Sequence, residues 1–276
     1  MNAEDSDFLI DAALREDLPR GDITSENIIP QESISQALIM AKQPGVLAGI
    51  YIAGRVFKRV DSSISFDPFV EDGHAIQKEE KLARVKGCST SILKAERTAL
   101  NFLQRLSGVA TETSLYVNAL KGTKTKILDT RKTTPGWRSL EKYAVRMGGG
   151  ENHRFSLSDM VLIKDNHLKI CGGITKAVKQ ARSNIEPHIL IEVETKNLEE
   201  AKEAFAIGVD RIMLDNMPLE EMRSCVDWIS GRIPLEVSGN VTLKRIAELS
   251  RLGVDFISAG GLTHSSTSLD ISMDFL

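Results

Sequence analysis

Apolar positions follow two rhythms along this chain, and the change between them falls near the middle. In the first half, helical and strand-like patterns are mixed. Phe8, Leu9, Ala12 and Ala13 form an apolar stripe that predicts a short helix over residues 6–17, followed by a PRGD turn at 19–22. The run SQALIMAK predicts a strand that stops at the breaker Pro44-Gly45. A helix is expected over 47–59 and a loop across DPFVEDGH, residues 67–74. Residues 81–87 read as a strand. From Ser91, SILKAERTALNFLQRLSG is strongly amphipathic, with Leu93, Leu100, Leu103 and Leu106 supplying much of its buried face.

From Lys126 the rhythm becomes regular. Short β-branched or apolar runs (KILDT, DMVLIKD, HILIEVE, DRIMLDN, PLEVSG and DFISAG) alternate with helical patterns over 138–146, 172–183, 197–207, 218–229 and 241–251. Such alternation predicts βα units and parallel strands. Six strands are fewer than the eight of a regular barrel, which leaves an incomplete barrel or an open doubly wound sheet. No Gly-x-Gly-x-x-Gly fingerprint follows the first of these strands, which weakens a dinucleotide-binding version.

Polar residues gather at the carboxyl ends of these strands: Asp129 and Arg131, Lys164 and Asp165, Glu192 and Glu194, Asp215, Glu236, and Ser258 before Ala-Gly-Gly. Any one could be a cross-strand ion pair. The succession points to a polar ring at the rim where α/β proteins place ligands. Period two sets Glu192 and Glu194 on one face of their strand, with Ile191 and Val193 on the other. Two like charges side by side need a cation or a basic side chain to offset them. A buried structural ion-pair network is the competing reading.

Composition narrows the chemistry. Of the 276 residues, 42% are hydrophobic and 26% charged, the balance of a globular protein, and the net charge of −3 supplies no global positive field for nucleic acid. A site for an anion must therefore be a local cluster of basic groups. DTRKTTPGWR concentrates Arg131, Lys132 and Arg138 beside Thr133, Thr134 and Gly136, and MGGGENHR sets three glycines before His153 and Arg154. Guanidinium forks and hydroxyls suit carboxylates and phosphates. A solvated basic loop and a structural histidine are the bland alternatives, and His167 reads as an orienting group or a cap. Ser238-Gly239-Asn240 and SAGGLTHS put small residues after the last two strands, where barrels often hold a phosphate; simple tight turns are the plainer alternative.

Cys88, Cys171 and Cys225 form no Cys-x-x-Cys pair and read as free thiols in a reducing compartment. The acidic start, MNAEDSDFLIDAALRED, lacks the basic-then-apolar order of a signal peptide, and no apolar run is long enough for a membrane span. The expected location is cytoplasmic, without a membrane or nucleic-acid partner. No Ser/His/Asp set suggests a hydrolase. Lys164 is the nearest candidate for a Schiff base.

The longer motifs carry a resemblance. EDLPRGDIT (16–24), KAERTALNFLQRLSG (94–108), DTRKTTPG (129–136), YAVRMGGGENHR (143–154) and LSDMVLIKDNH (157–167) are followed by IEVET, IMLDNM, LEVSGN, SAGGLTHS and LDISMDF. Across nearly its whole length the chain resembles the nicotinate-nucleotide pyrophosphorylases (carboxylating), or quinolinate phosphoribosyltransferases. Trp137 and Phe155 look like local variations that bear on packing. The resemblance implies an α/β fold in which an N-terminal α/β sandwich, residues 1–112 completed by 266–276, is joined to an incomplete six-stranded α/β barrel, residues 113–265.

It also implies the reaction and the roles. Phosphoribosyl pyrophosphate and quinolinate would give nicotinate mononucleotide, pyrophosphate and carbon dioxide. Arg131, His153, Arg154 and Lys164 would hold the two carboxylates of quinolinate, with Arg97 donated by the neighbouring subunit of a homodimer. Lys132 would contact phosphoribosyl pyrophosphate, and Glu194 and Asp215 would act near the ribose and the Mg2+-bound pyrophosphate, touching the metal directly or indirectly. Ser238, Gly239 and Asn240, with Ala259, Gly260 and Gly261, would hold the 5′-phosphate. The other readings are a related phosphoribosyltransferase for a different acid, a non-catalytic phosphate-ligand binder, and a Schiff-base aldolase using Lys164.

Overall fold

A computed structural model describes residues 3–276. The chain runs α1 (Ala3–Asp17), α2 (Ser25–Ile28), β1 (Ile34–Ala41), β2 (Gly45–Val46), α3 (Ile50–Val60), β3 (Ser65–Pro68), β4 (Ala75–Ile76) and β5 (Lys81–Cys88). The long helix α4 (Ser89–Ala119) leads to β6 (Lys126–Leu128), α5 (Arg138–Met147), β7 (Val161–Ile163), α6 (Asp165–Cys171) and α7 (Ile174–Asn184). There follow β8 (Ile191–Thr195), α8 (Leu198–Ala206), β9 (Arg211–Asp215), α9 (Leu219–Ile229), β10 (Leu235–Ser238), α10 (Leu243–Ser250), β11 (Phe256–Ser258), α11 (Gly261–His264) and β12 (Ile271–Phe275). By contacts these divide into two units, one of residues 1–114, 133–149 and 262–276, the other of 115–132 and 150–261.

The first unit is built on a four-stranded antiparallel sheet in the order β12-β1-β5-β3. Alternation along β1 buries Ala37, Ile39 and Ala41, while Ile271 and Met273 of β12 are buried beside them. The C-terminal strand thus closes one flank of a sheet begun by the N-terminal sequence, with Ile39 opposite Met273. Phe57, Phe102, Ile52, Leu82 and Leu103 are fully buried side chains of this core. Burying a side chain of this size contributes roughly 1.5–3 kcal/mol relative to exposure.

Two expectations are revised here. DPFVEDGH is not wholly a loop, because Ser65–Pro68 pairs antiparallel with β5, setting Phe66 opposite Val85 and Asp67 opposite Arg84. The helix expected to end near Gly108 continues to Ala119. Gly108 serves close approach, since a Cβ there would stand 2.0 Å from the Thr267 carbonyl oxygen. Helix α5 groups with this unit for visible reasons. Trp137 before it stacks on Phe102 at 4.8 Å, and the Tyr143 hydroxyl donates to Asp72 Oδ2 at 2.6 Å. Burial and the Asp72 charge raise the Tyr143 pKa.

The second unit is a six-stranded parallel sheet in the order β6-β11-β10-β9-β8-β7. That is chain order with the first strand set beside the last, as in a barrel, and it has no reversal of the doubly wound kind. The break lies between β6 and β7. The segment after α5 lines the β6 side of it: Glu151 bridges Leu128 in parallel, and its N–H donates to the Ile127 carbonyl at 2.9 Å. Six strands, parallel and incompletely closed, match the expected barrel.

Candidate active site

Strand parity sorts the side chains of the second unit. Glu192 and Glu194 on β8, Arg211 and Asp215 on β9, and Glu236 and Ser238 on β10 each lie an even number of residues apart and share the inner face. Depth separates them into a buried floor and a half-exposed rim.

The floor is ionic. Glu192 and Glu236 are fully buried, and His153 is buried between them, its Nε2 3.0 Å from Glu192 Oε2 and 3.5 Å from Glu236 Oε2. Arg211 Nη1 donates to Glu236 Oε2 at 3.0 Å, and its guanidinium lies 4.2 Å over the Phe256 ring. One oxygen of each glutamate, Oε1, is buried without a hydrogen-bond partner. Asp129, also buried, accepts the His153 N–H at 2.9 Å and the Asn152 amide, which anchors the 151–154 segment to the end of β6.

Proton affinities in this floor oppose one another. Burial disfavours charge on the His153 ring, whereas its hydrogen bonds to Glu192 and Glu236 and their charges favour it. Against a second ring proton stands the Arg154 N–H, which donates to His153 Nδ1 at 2.8 Å. Two N–H groups cannot face each other at that distance, so geometry decides for a neutral ring. Burial, then the charge of Glu236, pushes the Glu192 pKa up. Glu236 goes the other way. Burial raises it, but His153, Ser258 and Arg211 more than compensate and hold it down. These three residues also place ligand-type atoms within 4.8 Å of one another, the geometry of a metal cluster. The Arg211 cation bonded to Glu236 already meets that charge.

At the rim, Lys164 Nζ is hydrogen-bonded to Glu194 Oε1 across neighbouring strands β7 and β8. Asp215, at the end of β9, is half-buried and accepts from Asn216 Nδ2 at 3.1 Å. Arg131 and Arg154 stand close enough to repel. Burial, then the Arg131 charge, lowers the Arg154 pKa. Arg154 Nη1 donates to the Met160 carbonyl at 2.9 Å, whereas Arg131 Nε is buried with no partner. Two neighbouring guanidiniums with an unmet buried donor have the chemistry that suits an anion. His167 proves to be a cap: its Nδ1 accepts the Lys164 N–H at 2.9 Å.

The small-residue turns flank this rim. Gly239 has φ +95°, and a Cβ on it would fall 2.2 Å from Asn216 Oδ1. Asn240, at φ 49°, donates from Nδ2 to the same Asn216 oxygen at 3.2 Å, so the turns after β9 and β10 are joined beside Ser238. Ala259 N–H is taken by the Leu128 carbonyl at 3.0 Å, and Gly260 and Gly261 follow it half-exposed. Lys132 is exposed at the end of the Arg131 loop, with its N–H bonded to Thr130 Oγ1 at 3.0 Å. Arg97 lies in the first unit, exposed on α4.

The expected residues Arg131, His153, Arg154, Lys164, Glu194 and Asp215 thus line one sheet, although His153 points into the floor and not to the rim. Arg211 and Asn216 were not anticipated. Parity with Asp215 is the signal that could have found Arg211. The three cysteines are free, Cys88 half-buried, Cys171 exposed and Cys225 buried. Among the described residues no helix is long and apolar enough to cross a membrane.

Comparison with known proteins bears on the chain as a whole. A family model described as the quinolinate phosphoribosyl transferase N-terminal domain matches residues 22–107, and one for the C-terminal domain matches 109–274. A Bacillus subtilis protein named "probable nicotinate-nucleotide pyrophosphorylase (carboxylating)" is 45% identical over 259 residues, covering 94% of this chain and 89% of that one. A chloroplastic nicotinate-nucleotide pyrophosphorylase (carboxylating) from Oryza sativa is 42% identical over 284 residues, covering 96% and 76%. The crystal structure of NadC from Streptococcus pyogenes superposes with a TM-score of 0.96 at 42% identity, covering 100% of this chain and 99% of that one.

Proposed function

The chain belongs to the quinolinate phosphoribosyltransferase family, and from that membership and the site we infer the following reaction. The enzyme transfers the phosphoribosyl group of 5-phosphoribosyl-1-pyrophosphate to quinolinate with loss of carbon dioxide. The products are nicotinate mononucleotide, a precursor in NAD biosynthesis, and pyrophosphate. The carrying observation within the site is the Arg131–Arg154 pair with its unmet buried Nε, since quinolinate brings two adjacent carboxylates.

On this reading Arg131, Arg154 and Lys164 hold the acid and orient its ring nitrogen towards C1 of the ribose. Their task is positioning: the nitrogen must stay unprotonated to attack as pyrophosphate leaves. Positive charge develops on the ribose, and Glu194 and Asp215 stand at the ends of adjacent strands where a carboxylate would stabilise it. The new bond makes the ring nitrogen cationic, which stabilises the carbanion left when the 2-carboxylate departs as carbon dioxide. A proton from solvent completes the product. Lys132 is assigned to the pyrophosphate end. Ser238, Gly239, Asn240, Ala259, Gly260 and Gly261 form the turns assigned to the 5′-phosphate, with Gly239 giving the close backbone approach.

Magnesium fits these residues in one way. Lys164 already engages Glu194, and Asp215 offers the other carboxylate, so the donors suit a metal carried mainly by substrate oxygens and water. When bound it would neutralise the departing pyrophosphate. Arg97 projects from a helix whose other face is core, and an exposed guanidinium there suits donation to the site of a second chain in a homodimer. A soluble cytoplasmic setting completes the proposal.

The test is an assay with quinolinate, phosphoribosyl pyrophosphate and magnesium that measures nicotinate mononucleotide and carbon dioxide together. Equal amounts of both support the reading. Product from nicotinate alone would move the chain to a sister activity, and no product from either acid would overturn it.

A further inference from the structure

The reaction as derived uses the rim and leaves the floor unexplained. Two buried carboxylates beneath a substrate pocket for an acid are an electrostatic burden there, because they weaken binding of the anion unless they do something else. Their contacts converge on one ring. His153 is fixed on three sides: its N–H by Asp129, its Nε2 by Glu192 with Glu236 behind, and its Nδ1 by the Arg154 N–H. A neutral imidazole has one proton to place. Nδ1 faces a donor and must present its lone pair, so the proton sits on Nε2, facing the carboxylates. The other tautomer would set a ring N–H against the Arg154 N–H at 2.8 Å and leave Nε2 as a lone pair against Glu192.

We propose that Glu192 and Glu236, braced by Arg211, are positioning residues that hold His153 as its Nε2–H tautomer, so that Nδ1 fixes the Arg154 backbone and aims its guanidinium at the acid. Arg211 fits this task because its bond to Glu236 and its place over Phe256 keep Glu236 from turning away. Ser258 also helps to hold the charge on Glu236. The second fixed point of Arg154, its bond to the Met160 carbonyl, leaves the rest of its guanidinium fork for the substrate. The identity of that acid rests on the family reading above; the ring tautomer does not.

The test has two arms on the full-length protein. Imidazole 15N spectra at neutral pH are recorded for the five histidines, with His153 assigned by its loss in His153→Gln. The expected result is an unprotonated Nδ1 and a protonated Nε2. A protonated Nδ1, alone or with Nε2, overturns the proposal whether or not the enzyme turns over quinolinate. In the second arm, Glu192→Gln gives the ring an amide N–H as an alternative neighbour. Its quinolinate KM should rise about tenfold, the effect of one misdirected hydrogen bond, with kcat and the phosphoribosyl pyrophosphate KM within about threefold. Unchanged quinolinate KM, or equal loss in both KM values and kcat, would mean that the floor is structural only and overturns the proposal. If Glu192→Gln does not fold, the wild-type spectrum decides.

Discussion

Arg105 donates to the fully buried carboxylate of Glu141 at 2.7 Å, and the same carboxylate receives the Thr134 N–H at 3.0 Å and hydroxyl at 2.9 Å. Arg105 also reaches the Ser266 carbonyl at 2.7 Å, so one guanidinium ties α4, α5 and the C-terminal segment together. Removing the cation strands a buried charge, which costs more than the pair contributes. Arg105→Met should lower unfolding stability by about 3 kcal/mol in urea denaturation, near the low end for a broken buried pair. The double variant Arg105→Met/Glu141→Met should recover part of that loss. A double variant no more stable than the single would place the effect in the Ser266 contact.

Much of this fold is visible in the residue pattern. IEVET, RIMLD and LEVS bury apolar residues at alternate positions, Ile191 and Val193, Ile212 and Leu214, and Leu235 and Val237, and read as strands without help from neighbours. β3 was missed because Ser65–Pro68 is polar and ends in proline, which an edge strand tolerates and a central one does not. The amphipathic stretch was legible only as far as Gly108, whose packing partner, the Thr267 carbonyl, lies 159 residues away in sequence. The rim was legible as charged strand ends. The division into floor and rim was not: Glu192 and Glu194 share a face, and only the stagger of neighbouring strands puts one under His153 and the other beside Lys164.

Lys164 and Glu194 should separate kinetically although they touch. Lys164→Ala removes a cation assigned to the acid, and the quinolinate KM should rise about tenfold, as for one charge-assisted hydrogen bond. Glu194→Gln keeps the shape but loses the charge placed against the developing cation, and kcat should fall about a hundredfold with KM values little changed. Steady-state kinetics in both substrates checks this. A Glu194→Gln variant with a raised quinolinate KM and normal kcat would reassign Glu194 to holding Lys164.

Gly239 joins the turns after β9 and β10. In Gly239→Ala the new methyl meets Asn216 Oδ1 at 2.2 Å, in a left-handed conformation at φ +95°. The strain should cost about 1–3 kcal/mol and displace Asn216 and Asn240 together. Because the turn is assigned to the 5′-phosphate, the phosphoribosyl pyrophosphate KM should rise while the quinolinate affinity, read by direct calorimetric titration, stays near wild type. Loss of both affinities would show that the distortion spreads to the Arg131–Arg154 pair.

Cys225 gives a pH signature outside the site. It is fully buried on α9, and burial, then the nearby Glu221 charge, raises its thiol from 9.0 to about 11. The folded state therefore keeps its proton after the unfolded chain has begun to lose it. The unfolded state then binds fewer protons, so stability falls as pH rises. The contribution is intact below pH 9 and is lost progressively up to about pH 11. Urea denaturation of wild type and Cys225→Ala across this interval separates the thiol from the tyrosines and lysines that titrate in both. Wild type should show the steeper alkaline decline, and parallel curves would mean that the thiol ionises in the folded protein without resistance.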